Sequence, residues 1–119
     1  MIKILDLENI KVVGKNKKHQ PVFIHGKVRQ VLTAEYRDFK KLLVLCLKNK
    51  TIRFDKADKL YFEFDMYHDA DSPIGCLFDA LEESGIVDND RNILNYEVVK
   101  NPIKRGSPAR IKIYIIKNN

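Results

Sequence analysis

The stretch from residue 59 to residue 85 constrains the fold more than any other, because it sets a strand pattern directly before a helix pattern. In Lys59-Leu60-Tyr61-Phe62-Glu63-Phe64-Asp65-Met66 apolar and polar residues alternate. Successive side chains of a strand point to opposite faces, so Leu60, Phe62, Phe64 and Met66 share one face that must be covered. A helix follows: Ser72 stands as N-cap, Pro73 takes the first helical position, and Ile74, Leu77, Phe78 and Leu81 recur at i, i+3, i+4 and i+7. Ser84-Gly85 stops it, the glycine supplying the positive φ that a helix C-terminus commonly needs.

A second helix is expected from the N-cap Thr33, with Tyr36, Phe39, Leu42, Leu43, Cys46 and Leu47 at helical spacing, ending at Asn49-Lys50. Ile2 to Leu5 and Ile10 to Val13 are short apolar runs suited to strands or to an extended arm. Pro21 to His25 reads as a short strand bounded by Gly26, and Ile93 to Lys100 and Arg110 to Lys117 as two strands joined by a basic hairpin loop from Asn101 to Pro108. The order predicts a small two-layer α+β domain over residues 1–119, a mixed sheet with two helices packed on one face. It does not fix the strand order. A chain of this length buries roughly two-thirds of its unfolded surface, enough for one modest core, which excludes a multidomain enzyme.

The composition, 45% apolar and 32% charged, is that of a globular protein. The longest apolar run, Leu42 to Leu47, is far short of the ~20 residues that cross a bilayer, so no membrane association is expected. The start of the chain lacks the apolar stretch of a secretory signal, and a cytoplasmic protein is expected. Cys46 and Cys76 stand without CxxC spacing or a neighbouring histidine cluster, the pattern of reduced core residues rather than of a zinc site or a disulfide.

Charge divides the chain. Residues 1–60 hold 15 Lys and Arg against 6 Asp and Glu, or +9, whereas residues 61–119 hold 7 against 10, or −3. From Glu63 to Asp90 there are nine acids and no Lys or Arg. A basic protein is suited to a polyanion such as nucleic acid. An acidic island would repel that partner unless divalent metal ions bridge the carboxylates to phosphate oxygens. Asp69 and Asp71 are two apart, so extended backbone points both the same way just before a helix N-terminus. Paired carboxylates suit Mg²⁺, which takes oxygen ligands, better than zinc. Aspartates at a helix start also stabilise its dipole without any metal. A calcium EF-hand is excluded, since its glycine and glutamate positions fall on Ile74 and Ala80.

The run from His68-Asp69-Ala70-Asp71 through Phe78-Asp79-Ala80-Leu81, then Ser84-Gly85-Ile86-Val87-Asp88-Asn89-Asp90, then Tyr96-Glu97-Val98-Val99-Lys100, resembles the RusA family of phage and bacterial Holliday-junction resolvases. There a D-x-D pair precedes a helix carrying F-D-A-L, and a third aspartate follows. The resemblance implies that Asp69, Asp71 and Asp90 bind Mg²⁺, with Mn²⁺ as a substitute, and cut DNA phosphodiesters. It further implies a homodimer acting on four-way junctions in recombination and repair, with no small-molecule cofactor. Two positions depart: the family has Asn after the D-x-D pair and Lys one helical turn on, where this chain has Ser72 and Gly75. The missing lysine favours an alternative, a catalytically weakened protein that binds branched DNA; His68 and Arg91 are the neighbours that stand in for it by position. Asp79 is read as a half-buried polar residue rather than a ligand, and Asp88 as a turn former or a group that supports the ligand Asp90 from behind. A remoter alternative is an interaction module whose acidic face binds a basic partner.

For DNA, phosphate contacts are expected from Lys15, Lys17 and Lys18, from Lys27 and Arg29, and from Lys104 and Arg105. Between Glu8 and Glu35 there is no acid, which favours a cationic surface.

Overall fold

The computed structural model describes residues 1–12, 19–24, 26–67 and 73–118; at 19, 22–24 and 27–31 it describes the backbone alone. The chain runs β1 (Ile2–Ile10), β2 (His19–Ile24), β3 (Lys27–Leu32), α1 (Ala34–Leu47), β4 (Lys59–Met66), α2 (Ile74–Glu83), a 3-10 turn (Asp90–Asn92), β5 (Tyr96–Pro102) and β6 (Ala109–Ile116). Four strands form one sheet in the order β1-β6-β4-β5, and β2 and β3 form a separate two-stranded hairpin. The sheet is mixed, since β4 and β5 are parallel while β1, β6 and β4 alternate in direction.

The alternation at 59–66 decides which strands lie inside. Leu60, Phe62, Phe64 and Met66 are all buried, and Ile111, Ile113 and Ile115 of β6 lie beside them. Both helices contribute to the same core: α1 through Tyr36, Phe39, Leu43 and Leu47, α2 through Cys76, Leu77, Ala80 and Leu81. Their polar contacts, Tyr36 with Asp79 and Lys40 with Glu83, advance together by four residues, so the helices run side by side in one direction. The result is a two-layer α+β domain with its helices on one face. The open face is closed by side-chain pairing instead. Arg110 clamps Asp6 through two 2.9 Å hydrogen bonds and reaches Glu8 at 3.3 Å, while Asn101 Nδ2 donates to Glu63 and Asp65. Tyr61 and Tyr114 meet edge to face there.

Several elements differ from expectation. The first N-terminal run extends into one nine-residue strand that takes in Ile10 of the second run, while Lys11 and Val12 lie beyond it and Val13 lies outside the described residues; the strand has irregular register at Lys3/Leu5 and Leu7/Ile10 and Asn9 at φ 54°. Asp6 and Glu8, which break its apolar pattern, are the partners of Arg110. β3 was not expected, because Lys27, Arg29 and Gln30 interrupt its apolar residues. β5 and β6 do not form a hairpin: β4 lies between them, and the loop from 103 to 108 passes over its end. β5 begins at Tyr96 rather than Ile93, since the Ile93 N–H closes the 3-10 turn on the Asp90 carbonyl at 3.0 Å. The second helix starts at Ile74 with Pro73 in the cap position, its carbonyl accepting from Leu77 N; Ser72 lies outside the described residues. Thr33 caps α1 by accepting from Tyr36 N, and Gly85 takes φ +84°, both as expected. Leu42, expected in the core, is 41% exposed, and Cys46 and Phe78 are only half-buried.

The register defines two ends. At one, Met66 stands beside Pro102, Asp65 beside Arg110 and Ile10 beside Ala109; at the other, Lys59 stands beside Ile116 and Leu60 beside Tyr96. The radius of gyration, 15.3 Å, exceeds the roughly 13–14 Å of a compact chain this long. The molecule is drawn out to 55 Å along its longest axis.

Candidate nucleic-acid and metal site

Because β4 and β5 are parallel, they finish at the same end of the sheet, and the chain does three things there. It leaves β4 at Tyr67 and is described again from Pro73, so the segment carrying Asp69 and Asp71 joins two points of that end. It turns from β5 into β6 through Ile103 to Pro108, where Lys104 and Arg105 are exposed. It leaves β1 past Ile10 and Lys11 toward the segment that carries Lys15, Lys17 and Lys18. Asp69, Asp71 and these three lysines lie outside the described residues, as does His68. The N-termini of α1 and α2, with their positive dipole ends, belong to the same region.

Neither Lys104 nor Arg105 has an ion-pair partner among the described residues. Lys100, on β5 at this end, donates to the Tyr67 carbonyl at 3.3 Å and so ties the exit of β4 to its neighbour. Its place beside the exit of β4 follows from parallel pairing, which a single sequence does not reveal. Lys27 lies opposite Ile24 and Arg29 opposite Val22 in the hairpin.

Asp90 opens the 3-10 turn, capped by Asn89, whose side chain accepts from Arg91 N at 2.9 Å. The Asp90 carboxylate is half-exposed and has no hydrogen-bond partner among the described residues. The surrounding segment starts from the far end, where Val87 N bonds to the Leu81 carbonyl, and returns there at Asn95, whose carbonyl accepts from Leu60 N. In between, the turn packs against α2. Three residues of chain reach about 10 Å, against the roughly 15 Å length of a ten-residue helix, so this excursion is long enough to carry Asp90 toward the N-terminal half of α2. Asp88 is exposed, and Arg91 is directed to Asn89 through its Nε as well. No cluster of three acidic, histidine or cysteine side chains occurs among the described residues.

Asp79 is accounted for differently. Tyr36 Oη donates to Asp79 Oδ2 at 3.2 Å, which links the two helices. Burial, then the neighbouring Cys76 and the Asp79 carboxylate, push the Tyr36 hydroxyl well above the ordinary phenol range, so it stays a donor. Gly75 is exposed on the first turn of α2, and no heavy atom lies within 4 Å of the position its Cβ would take. The glycine is not required by packing.

The chain matches no protein-family model and no curated protein. Among the described residues no helix is long and apolar enough to cross a membrane.

Proposed function

We propose that the protein is a cytoplasmic, Mg²⁺-dependent endonuclease of RusA type that cuts four-way DNA junctions as a homodimer. The observation that supports it best is topological. Parallel pairing of β4 and β5 puts the exposed Lys104 and Arg105 at the end where the chain enters and leaves the segment of Asp69 and Asp71. A basic turn and a pair of carboxylates at one end suit a phosphodiester held next to a metal.

In this reading Asp69, Asp71 and Asp90 are the oxygen ligands; the Asp90 carboxylate, half-exposed and unpartnered among the described residues, fits that duty. Mg²⁺, when bound, activates water and offsets charge on the phosphate. Lys104 and Arg105, with Lys15, Lys17 and Lys18, hold flanking phosphates and orient the strand for in-line attack. The interhelical bond of Tyr36 with Asp79 fixes α2, and with it the point at which the Asp71 segment rejoins the fold.

A labelled four-way junction incubated with the protein is expected to be nicked with Mg²⁺ and not with EDTA. Asp71→Asn should lower the rate by more than about 100-fold, since even partners behind metal ligands account for 10–100-fold, and should leave junction binding in place. Cleavage at the wild-type rate in Asp71→Asn removes that ligand from the scheme.

The glycine at position 75, where the RusA pattern has lysine, favours a second reading, a branched-DNA-binding protein with weakened chemistry, and the open space there means that packing does not demand the glycine. Because a side chain fits there without collision, Gly75→Lys is a clean comparison. A large gain in nicking identifies a degenerate site, whereas an unchanged rate shows that another group already fills the lysine's role. In either case the helix should gain up to about 1 kcal/mol from losing a glycine.

A further inference from the structure

The two edges of the main sheet are built differently. At β1 the register is interrupted at Lys3/Leu5 and Leu7/Ile10, and Asn9 sits at φ 54°. Interruptions of that kind keep an edge from accepting a further strand. β5, the opposite edge, stays in unbroken register with β4 from Tyr96 to Pro102, and β4 is its one strand partner among the described residues. The Asn95 carbonyl accepts from Leu60 N, and Leu60 stands beside Tyr96, so Asn95, Glu97, Val99 and Asn101 make the bonds to β4. Tyr96, Val98 and Lys100 therefore turn their N–H and C=O groups outward, and no turn or loop hydrogen bond reaches these groups among the described residues. Pro102, without an N–H, ends the open ladder. Beside it lies an apolar strip. Tyr96 meets Phe78 of α2 edge to face at 5.2 Å, and Ile74, one turn before Phe78, is only half-buried. Tyr96 is 48% exposed, and Leu94, just before the strand, 70%.

We propose that the β5 edge takes up an extended, basic segment of a partner protein as a further strand, with its alternate apolar side chains laid toward Phe78 and Ile74. The backbone chemistry selects a polypeptide: donors and acceptors alternate along the edge, and only another extended backbone offers the matching series, whereas phosphate offers acceptors alone. Charge selects its sign. Residues 74–97, from α2 to the start of β5, hold six acids against one base, and neither Glu82 nor Asp88 has an ion-pair partner among the described residues. Two copies of the chain meeting at this edge would bring the same acids together, and DNA would be repelled by them. A basic segment of another protein meets both demands.

Amide NMR of the full chain tests this, by titration with the peptide acetyl-Lys-Thr-Val-Thr-Val-Thr-Lys-amide in the absence of DNA and metal. The N–H signals of Tyr96, Val98 and Lys100 should shift and become protected from exchange. N-methylation of one alternate set of peptide amides should weaken binding at least about tenfold, while methylation of the other set should not, because one edge of the peptide does the pairing. Val98→Pro should weaken binding as much, since the N–H it removes faces outward, where an edge strand tolerates proline. Should that variant unfold by circular dichroism, the methylated peptides still decide, because they leave the protein untouched. Replacing both peptide lysines with glutamate should also lower affinity. Absence of shifts at β5 up to about 1 mM peptide overturns the proposal, and so does equal binding of the two methylated sets. β5 amides already protected without peptide, in a chain that sediments at twice its mass, would give the edge to a second copy and overturn it too. Shifts at β5 caused by junction DNA and not by the peptide would do the same. Because nicking is not read, its absence overturns the nuclease reading alone.

Discussion

At the end of the sheet where β4 begins, Asp58 is 2% exposed, and its carboxylate accepts from the N–H groups of Asp55 and Asn118 and from Lys117 Nζ at 2.6 Å. At the end where β4 finishes, Lys104 and Arg105 stand in water with no ion-pair partner among the described residues. The first arrangement fastens the C-terminal end of β6 to the turn that launches β4, and the Phe54 N–H to Ile86 carbonyl bond adds the α2 side to it. A charge whose hydrogen bonds are all met inside the protein has little left for a ligand. Charges left in solvent contribute little to the fold and keep their full capacity for a phosphate. The two ends therefore predict opposite outcomes on substitution: stability without binding at one, binding without stability at the other.

The largest expected stability effect is at the fastened end. Asp58→Ala removes the buried acceptor of two backbone N–H groups and of Lys117, which keeps the Arg53 carbonyl and the Asp55 carboxylate, and should cost about 1–3 kcal/mol by urea denaturation, the loss expected when part-buried donors lose their acceptor. Junction affinity should be unchanged. An equal loss of affinity would mean that the two ends are coupled and that the division above is wrong.

The pH dependence of that difference sharpens the comparison. Burial alone would raise the Asp58 carboxyl, but the hydrogen bonds from Lys117, Asn118 and Asp55 outweigh it and hold the group below the ordinary carboxylate value. A carboxyl depressed below its unfolded pKa of about 3.9 stabilises the fold above that value and ceases to do so as pH falls through the folded pKa. The Asp58 hydrogen bond raises Lys117, whose contribution is present below its unfolded pKa of about 10.4 and is lost as pH rises through the folded value. The gap between wild type and Asp58→Ala should thus be flat from about pH 5 to pH 9 and narrow on either side. A gap that narrows near neutrality would implicate some other titrating group.

The legibility of this molecule follows the range of the interactions involved. β4 and both helices could be read because their signals are local: alternation, apolar spacing, the Thr33 cap and the Gly85 stop each fall within a few residues. The placement of β5 beside β4 could not, because adjacent strands with a turn between them read as a hairpin, and only burial of the whole sheet puts β4 in the middle. Leu42 was assigned to the core because periodicity marks an apolar side of a helix without saying whether anything covers it. The clasp between Asp58 and Lys117 was invisible in advance, since 59 residues separate the partners. The D-x-D motif of Asp69 and Asp71 is legible in sequence, but only the strand register shows that the chain leaves β4 toward it at the end that carries Lys104 and Arg105.

The smallest stability effect is expected where the charges are free. Replacing Lys104 and Arg105 together with alanine should leave the urea midpoint within the few tenths of a kcal/mol usual for exposed positions, about 0.5 at most. Binding to a four-way junction, followed by fluorescence anisotropy over a salt series, should respond instead. Each lost phosphate contact lowers the slope of log K against log salt by about 0.9, so the double substitution should flatten it by nearly two. Affinity should fall for every branched sequence alike, because contacts to phosphate carry no base information. Loss of affinity with an unaltered slope would place the two residues against bases or protein rather than phosphate, and would remove the basic turn from the proposed phosphate contacts.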